Sequence, residues 1–227
     1  MSKILKFGVL VCMLSAANAW GAVFLDDFNR ANGAVGNGWT TATNGTVTVQ
    51  IVDNEVLIAG TEATDWARCG ISRPVAGETR VSFDFKADDV FNVHLRVEAA
   101  NSPAWLEIYA WAGGPFSHAN SETGAWPAGP WTAIAGSDMV AGAYNNVVLE
   151  LKDKVFTVIL NGKVVGTIPN AAFTSIESVQ VASDAAAGQT GTLHIDNVQI
   201  GVVIPGSSKD PSPAHNATDI PRDVALS

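Results

Sequence analysis

The chain has little cysteine, little positive charge and no apolar run long enough to cross a bilayer. Its only cysteines are Cys12 and Cys69, and 13 Lys and Arg residues stand against 22 Asp and Glu residues. Two cysteines cannot form a disulfide framework, so stability must come from a hydrophobic core or from a metal. The negative charge repels nucleic acid and anionic membrane surfaces. We therefore expect neither nucleic acid nor membrane insertion.

The amino terminus predicts export. Lys3 and Lys6 precede an apolar run from Phe7 to Leu14, and small residues ending at Ala19 follow. A basic start, a short apolar run and an Ala-x-Ala site are typical of a secretory signal peptide. We predict a signal peptide over residues 1–19 and a secreted, extracellular or cell-surface mature protein. Its removal takes Lys3, Lys6 and Cys12 with it, which leaves 11 basic against 22 acidic residues and a formal charge of −11.

Apolar and polar residues alternate along most of the remaining sequence. The period of two is typical of strands with one face in a core and one in water. Asn161-Gly162 separates two apolar runs, a strong β-hairpin signal. No long amphipathic helix is evident, so the pattern predicts an all-β, antiparallel β-sandwich. The clearest inward-facing sets are Val81, Phe83 and Phe85; Val93, Leu95 and Val97; Leu106, Ile108 and Ala110; and Val147, Leu149 and Leu151.

Three motifs resemble those of a known family. They are FLDDFNRANGAVGNGW from Phe24, the pair VSFDFK from Val81 and VVLELKDKVFTVILNGKVV from Val147, and LHIDNVQI from Leu193. Together they resemble the concanavalin A-like, laminin G-like jelly rolls of secreted bacterial multidomain proteins. The resemblance implies a jelly-roll β-sandwich over residues 20–203, and it does not fix an activity.

The carboxyl-terminal stretch has a resemblance of its own. PSPAHNATDIPRDVALS, from Pro211 to Ser227, resembles the first strand of an immunoglobulin-like or fibronectin-like domain. Residues 204–227 are thus predicted to be a linker and the truncated start of such a domain. Covalently linked downstream domains would then be missing from this chain. A disordered, Pro-rich tail of a complete protein is the alternative.

The acidic residues do not form the catalytic motif that the resemblance implies for glucanases. Those enzymes carry Glu-x-Asp-x-x-Glu or Glu-x-Asp-x-Glu on one strand, where alternation puts the carboxylates on one face. No strand here holds two acids at that spacing, and Glu98 and Glu107 stand alone on predicted solvent faces. The sequence therefore favours a non-catalytic domain, although a carboxylate pair assembled from distant strands stays open.

Aromatic residues indicate glycan binding. Tyr109 and Trp111 share the polar side of their strand, and Trp126 and Trp131 lie in the loop AWPAGPW. Sugar rings present a C–H face that packs on such side chains. We predict that these four residues form a carbohydrate-binding platform. The alternative is a second small core that covers one end of the sandwich.

The first and last strands carry candidate metal ligands. Asp26 and Asp27 lie on the first strand and Asp196 on the last, and the resemblance implies that these strands are neighbours with a structural Ca²⁺ between them. Calcium prefers carboxylate and carbonyl oxygen atoms. The alternative is that these side chains only cap turns and accept backbone N–H groups.

The sequence favours one function over two others. The preferred prediction is a secreted, non-catalytic, lectin-like module that binds a polysaccharide or other glycan within a larger extracellular protein. One alternative is an adhesion or spacer domain without a ligand site. The other is a glycosidase or lyase with an unrecognised carboxylate pair.

Overall fold

The computed structural model describes residues 24–88, 90–111, 114–127, 131–140 and 142–201. The predicted signal peptide (1–19) and the predicted linker and tail (204–227) lie outside these residues. Within them the chain is all-β, and none of its described segments forms a helix that could cross a membrane. The strands, in chain order, are β1 Phe24–Asp26, β2 Thr40–Ala42, β3 Thr48–Val52, β4 Glu55–Thr61, β5 Cys69–Glu78, β6 Arg80–Ala87, β7 Asn92–Ala99, β8 Trp105–Ala110, β9 Pro115–Ser121, β10 Thr132–Asp138, β11 Asn145–Lys152, β12 Val155–Leu160, β13 Lys163–Pro169, β14 Ile176–Asp184 and β15 Thr190–Ile200.

The strands form two antiparallel sheets, as the sequence predicts. The back sheet has the order β13-β12-β11-β6-β15-β4-β3, with β1 added on β15. The front sheet has the order β10-β9-β8-β7-β14-β5-β2. Neighbours along the chain are often not neighbours in the sheet, which is the crossing pattern of a jelly roll. The first and last strands pair with each other, which confirms that part of the prediction.

Alternation along each strand produces the core between the sheets. Phe83 and Phe85 of β6 and Leu95 of β7 are fully buried. Many inward-facing apolar residues of the other strands in both sheets are buried as well. Burial of this much apolar surface is the main source of stability for a domain with a single free cysteine among its described residues. That cysteine, Cys69, is itself buried and packs in the core as a small apolar residue.

The hairpins follow from turn chemistry. Asn161 and Gly162 both have positive φ, 50° and 78°, between β12 and β13. Asp153 and Lys154, with φ of 50° and 65°, make the same kind of turn between β11 and β12. Two consecutive positive φ values match the twist of the flanking strands, so these turns set the register of the back-sheet edge.

Candidate functional site

The outer face of the front sheet carries the candidate site. On β8 the core-facing residues alternate with Glu107 and Tyr109, which point away from the core and pair across to β7. The partner of Tyr109 on β7 is His94, and the partner of Glu107 is Arg96. An outer sheet face normally contacts water, yet Glu107, Tyr109 and His94 are all buried. A second layer of side chains therefore covers this face.

A carboxylate, an imidazole and a second carboxylate form a chain of hydrogen bonds beneath that cover. His94 Nδ1 lies 2.7 Å from Glu107 Oε1, and His94 Nε2 lies 2.7 Å from Asp184 Oδ2. Arg68 Nη2 makes an ion pair of 2.7 Å with Glu107 Oε1. The Asn92 amide donates to Asp184 Oδ1 at 2.9 Å. We call Glu107, His94 and Asp184 the carboxylate–imidazole array.

The groups of the array shift each other's pKa values toward the charged forms. Burial alone would lower the pKa of His94, but its hydrogen bonds to Asp184 and Glu107 raise that pKa above the ordinary 6.5. Burial alone would raise the pKa of Glu107, but His94, Arg68 and Arg96 together hold it below the ordinary 4.5. The hydrogen bonds and charges of the array therefore favour a protonated imidazole on His94 and an ionised carboxylate on Glu107.

Aromatic side chains form a pocket over the array. Its cavity of about 440 Å³ is large enough for a sugar residue. Successive rings meet edge to face or tilted, with centroids 5.8 Å apart for Trp66 and Trp111, 4.7 Å for Tyr109 and Trp111, and 4.8 Å for Tyr109 and Trp131. We call this cavity the aromatic pocket; its lining is Trp66, Arg68, His94, Tyr109, Trp111, Trp126, Trp131 and Asp184.

The structure brings the four predicted carbohydrate-binding residues together. Tyr109, Trp111, Trp126 and Trp131 all line the aromatic pocket. Tyr109 is buried, whereas Trp111 and Trp126 keep 45% and 52% of their surface exposed. The exposed rings are available to a ligand and are not closed into a second core. Glycan binding by these residues stays a prediction.

Sequence reasoning missed the charged half of the site. Glu107 was predicted to face solvent and is instead fully buried, because Arg68 and the aromatic layer cover it. His94 and Asp184 come from β7 and from the end of β14, so no single-strand spacing could reveal them. A usable signal was Glu107-x-Tyr109-x-Trp111, whose large aromatic residues share the face of the carboxylate.

The predicted calcium ligands are only partly suited to a cation. Asp26 accepts hydrogen bonds from the Arg30 guanidinium, at 2.7 and 3.1 Å, and from Trp39 Nε1 at 2.9 Å. Its oxygen atoms thus already face donors, one of them positively charged. Asp27 is exposed and Asp196 half-buried, and the described residues contain no group of three or more His, Cys, Asp or Glu arranged to hold a metal ion. Calcium at Asp26, Asp27 and Asp196 stays a prediction, and Asp26 is its weakest member.

Comparisons with known proteins give a fold and no sequence family. No family model matches the chain, and no curated protein matches it. Similar solved structures include a sialidase, with 15% identity and a TM-score of 0.61 over 80% of this chain. They also include a β-glucanase of Bacillus licheniformis, with 13% identity and a TM-score of 0.61 over 81% of this chain and 99% of that one. A third is an endo-acting O-glycanase of the human gut microbiota, with 12% identity and a TM-score of 0.64 over 80% of this chain and 99% of that one.

These likenesses establish a concanavalin A-like jelly-roll sandwich. The chain spans only 18% of the sialidase, so it corresponds to a small part of that protein. In contrast, it spans almost the whole of the glucanase and of the O-glycanase.

The preferred prediction of a non-catalytic, lectin-like module is wrong. Solved structures that match about 80% of this chain include glycosidases and a transglycosylase. The prediction rested on the lack of two acids on one strand. In the structure, Glu107 and Asp184 come from different strands and meet through His94.

Proposed function

We propose that this chain is a glycan-cleaving enzyme, a glycoside hydrolase that acts on a sugar bound in the aromatic pocket. The observation that carries the proposal is the carboxylate–imidazole array at the base of that pocket. Solved structures of the same fold that are named as glycosidases support it. The function corresponds to the alternative with a carboxylate pair assembled from distant strands.

The pocket walls suit a sugar ring. Trp66, Trp111 and Trp126 each expose about half of their surface around the cavity. The C–H faces of a pyranose pack on such rings, while polar groups fix its orientation. The pocket's polar groups are Arg68, His94 and Asp184 at its base. A bound sugar would therefore meet aromatic walls and the array together.

Asp184 is the carboxyl group in position to act on the substrate. It lines the pocket, whereas Glu107 is fully buried behind Arg68. Two 2.7 Å hydrogen bonds across one imidazole ring place the nearest oxygen atoms of the two carboxylates ~7 Å apart. A retaining pair needs a separation of about 5–5.5 Å, so these two carboxylates do not suit that mechanism.

The array can move a proton to the leaving group. His94 passes the proton of its protonated imidazole along the hydrogen bond to Asp184, and Asp184 gives a proton to the glycosidic oxygen as the C–O bond breaks. Water adds to the anomeric carbon, and the proton that it releases restores the array. Glu107 contacts neither reacting atom; it holds the imidazole in place from the far side, so it is a positioning residue.

The test is release of reducing ends from a panel of neutral glycans, including mixed-linkage β-glucan and mucin O-glycans. We expect Asp184→Asn to lower kcat at least ~100-fold, because one acid–base group typically contributes 10²–10⁴. Asp153→Asn is the matched control, since Asp153 lies in a turn of the back sheet and Asn tolerates its positive φ. Equal rates for Asp184→Asn and the wild type would contradict the proposal.

The products also identify the reaction. Hydrolysis leaves a saturated sugar at both new ends. Elimination, the lyase reaction, cleaves the bond next to a uronic acid and leaves an unsaturated sugar that absorbs ultraviolet light, so a polyuronate is tested beside the neutral glycans. Unsaturated products would replace the hydrolase proposal with a lyase.

A further inference from the structure

Glu62 is a buried carboxyl group without a conventional hydrogen-bond donor. It follows β4 and is 1% exposed. Within the part of the chain that the structure describes, no N–H or O–H group donates to either carboxylate oxygen. The Cys69 thiol lies beside it, and a thiol is only a weak donor. An ionised carboxylate in such a place is costly, so the neutral acid is the form that fits.

The neighbours of Glu62 act on its ionisation in opposite directions. Cys69 faces it from β5 and Asp184 from β14, and His94 of β7 stands behind Asp184. Burial is the main cause that raises the pKa of Glu62 to about 7; the negative charge of Asp184 adds to it, and the Cys69 hydrogen bond opposes it. Glu62 therefore changes its charge close to neutral pH.

Backbone hydrogen bonds tie Glu62 to the pocket. Its N–H donates to Gln189 O at 3.1 Å, and its C=O accepts from Gly188 N at 2.8 Å. Four residues on, Trp66 N donates to Ala185 O at 2.9 Å. Residues 62–68, which we call the clamp segment, are thus held along residues 185–189 just after β14. The backbone of Glu62 is therefore fixed through both its N–H and its C=O.

The clamp segment contains two residues that line the aromatic pocket. Trp66 forms one wall, and Arg68 lines the base and pairs with Glu107. We propose that Glu62 is a positioning residue of the aromatic pocket: its neutral carboxyl lets the clamp segment lie along residues 185–189, and its ionisation loosens the segment. The pocket then loses Trp66 and Arg68 from their places as pH rises.

The first experiment needs no substrate. Intrinsic tryptophan fluorescence of the whole chain is titrated with pH for the wild type, Glu62→Gln and Glu78→Gln. Gln has the shape of the neutral acid and cannot ionise, so we expect Glu62→Gln to lose a transition near pH 7 that the wild type shows. Glu78→Gln should keep it, because Glu78 lies at the far end of β5 although burial raises its pKa too.

His94 titrates as well, so a transition shared by all three proteins belongs to it. Superimposable curves for the wild type and Glu62→Gln would overturn the proposal. Because the readout is independent of catalysis, this result is separate from failure of the proposed function.

A second variant tests the direction of the effect. Cys69→Ser places an O–H donor beside Glu62 in nearly the same volume, and a better donor stabilises the ionised carboxylate. We expect the midpoint of the transition to shift to lower pH. An unchanged or higher midpoint in a folded Cys69→Ser protein would contradict a role for Glu62.

The activity arm rests on the proposed function. Well above the transition, wild-type kcat/KM should fall about tenfold for each pH unit, as the neutral fraction of Glu62 falls. Glu62→Gln should move the alkaline decline to higher pH, where loss of the His94 proton causes it, and should keep the acidic limb. A purely structural role would lower activity at every pH and leave the shape of the profile unchanged.

Discussion

Among single residues, Asp26 shows how one buried charge organises the opening loop. Arg30, Asn37 and Trp39 all donate to its carboxylate, the last two at 2.9 Å. These donors outweigh the cost of burial and lower the pKa of Asp26. The loop between β1 and β2 is thereby folded back on the first strand.

Replacement of Asp26 should be costly, whereas replacement of its neighbour should not. Asp26→Asn removes the charge that pairs with Arg30 and points an amide at existing donors, so we expect a loss of about 3 kcal/mol. Asp27→Asn is the control; Asp27 is exposed, and we expect a change within about 0.5 kcal/mol. Urea unfolding of both variants measures the difference, and equal stabilities would show that the Asp26 network contributes nothing.

At this scale the sequence was most informative for residues that only fill the core. Phe83 and Phe85, which alternate with polar residues along their strand, are fully buried, as that alternation predicts. Glu107 was misassigned because alternation only says that it lies on the outer face. Whether that face is exposed to solvent depends on side chains from other strands. The pattern of a single strand carries no information about them.

Among the elements, the close contact between β5 and β14 fixes the position of the strand that ends in Asp184. A Cβ atom added at Gly70 would lie 2.2 Å from the Val181 carbonyl oxygen and 2.5 Å from Ala182 Cα. Both are backbone atoms of the neighbouring strand, so neither can move without parting the strands. Only glycine allows β5 to lie this close to the strand that ends in Asp184.

Gly70→Ala should therefore destabilise the front sheet by about 3 kcal/mol, at the upper end of overpacking effects. Gly162→Ala is the comparison, because its Cβ would meet nothing within 4 Å and only the φ of 78° opposes it. That strain costs about 1–2 kcal/mol. Unfolding midpoints in urea give both values, and a larger loss for Gly162→Ala would show that the β5–β14 contact can relax.

The elements also explain why only half of the site was predictable. Tyr109 lies on β8 and Trp111 directly follows it, so their shared side is visible in the sequence. Arg68, His94 and Asp184 come from three separated segments that sheet topology alone brings together. Sequence spacing carries that information only when the order of strands in the sheet is already known.

For the whole molecule, the fold was predictable because many weak signals agree. Strand alternation, the Asn161-Gly162 turn and the pairing of first and last strands each hold in the structure. Such agreement across local and global levels is what specifies one topology. The activity could not be predicted in the same way, because it depends on a few side chains. The order of strands in the sheet alone brings these side chains together.

The buried titratable groups set the pH dependence of stability for the whole domain. Glu62 has a folded pKa of about 7 against an ordinary 4.5, so the folded state binds more protons than the unfolded state between these values. Stability then falls as pH rises through this window. The raised pKa of His94 extends the fall above pH 6.5. Glu107 acts in the opposite direction: its lowered pKa makes stability fall as pH drops below 4.5.

The domain should therefore be most stable at about pH 4.5–5 and should melt at progressively lower temperature as pH rises to 8. Thermal unfolding followed by circular dichroism across this range measures the trend. Glu62→Gln should flatten the decline between pH 4.5 and 7, because Gln binds no proton in either state, and should leave the part above it that His94 causes. A melting temperature that rises from pH 5 to 8 would mean that Glu62 and His94 do not hold their protons in the folded protein.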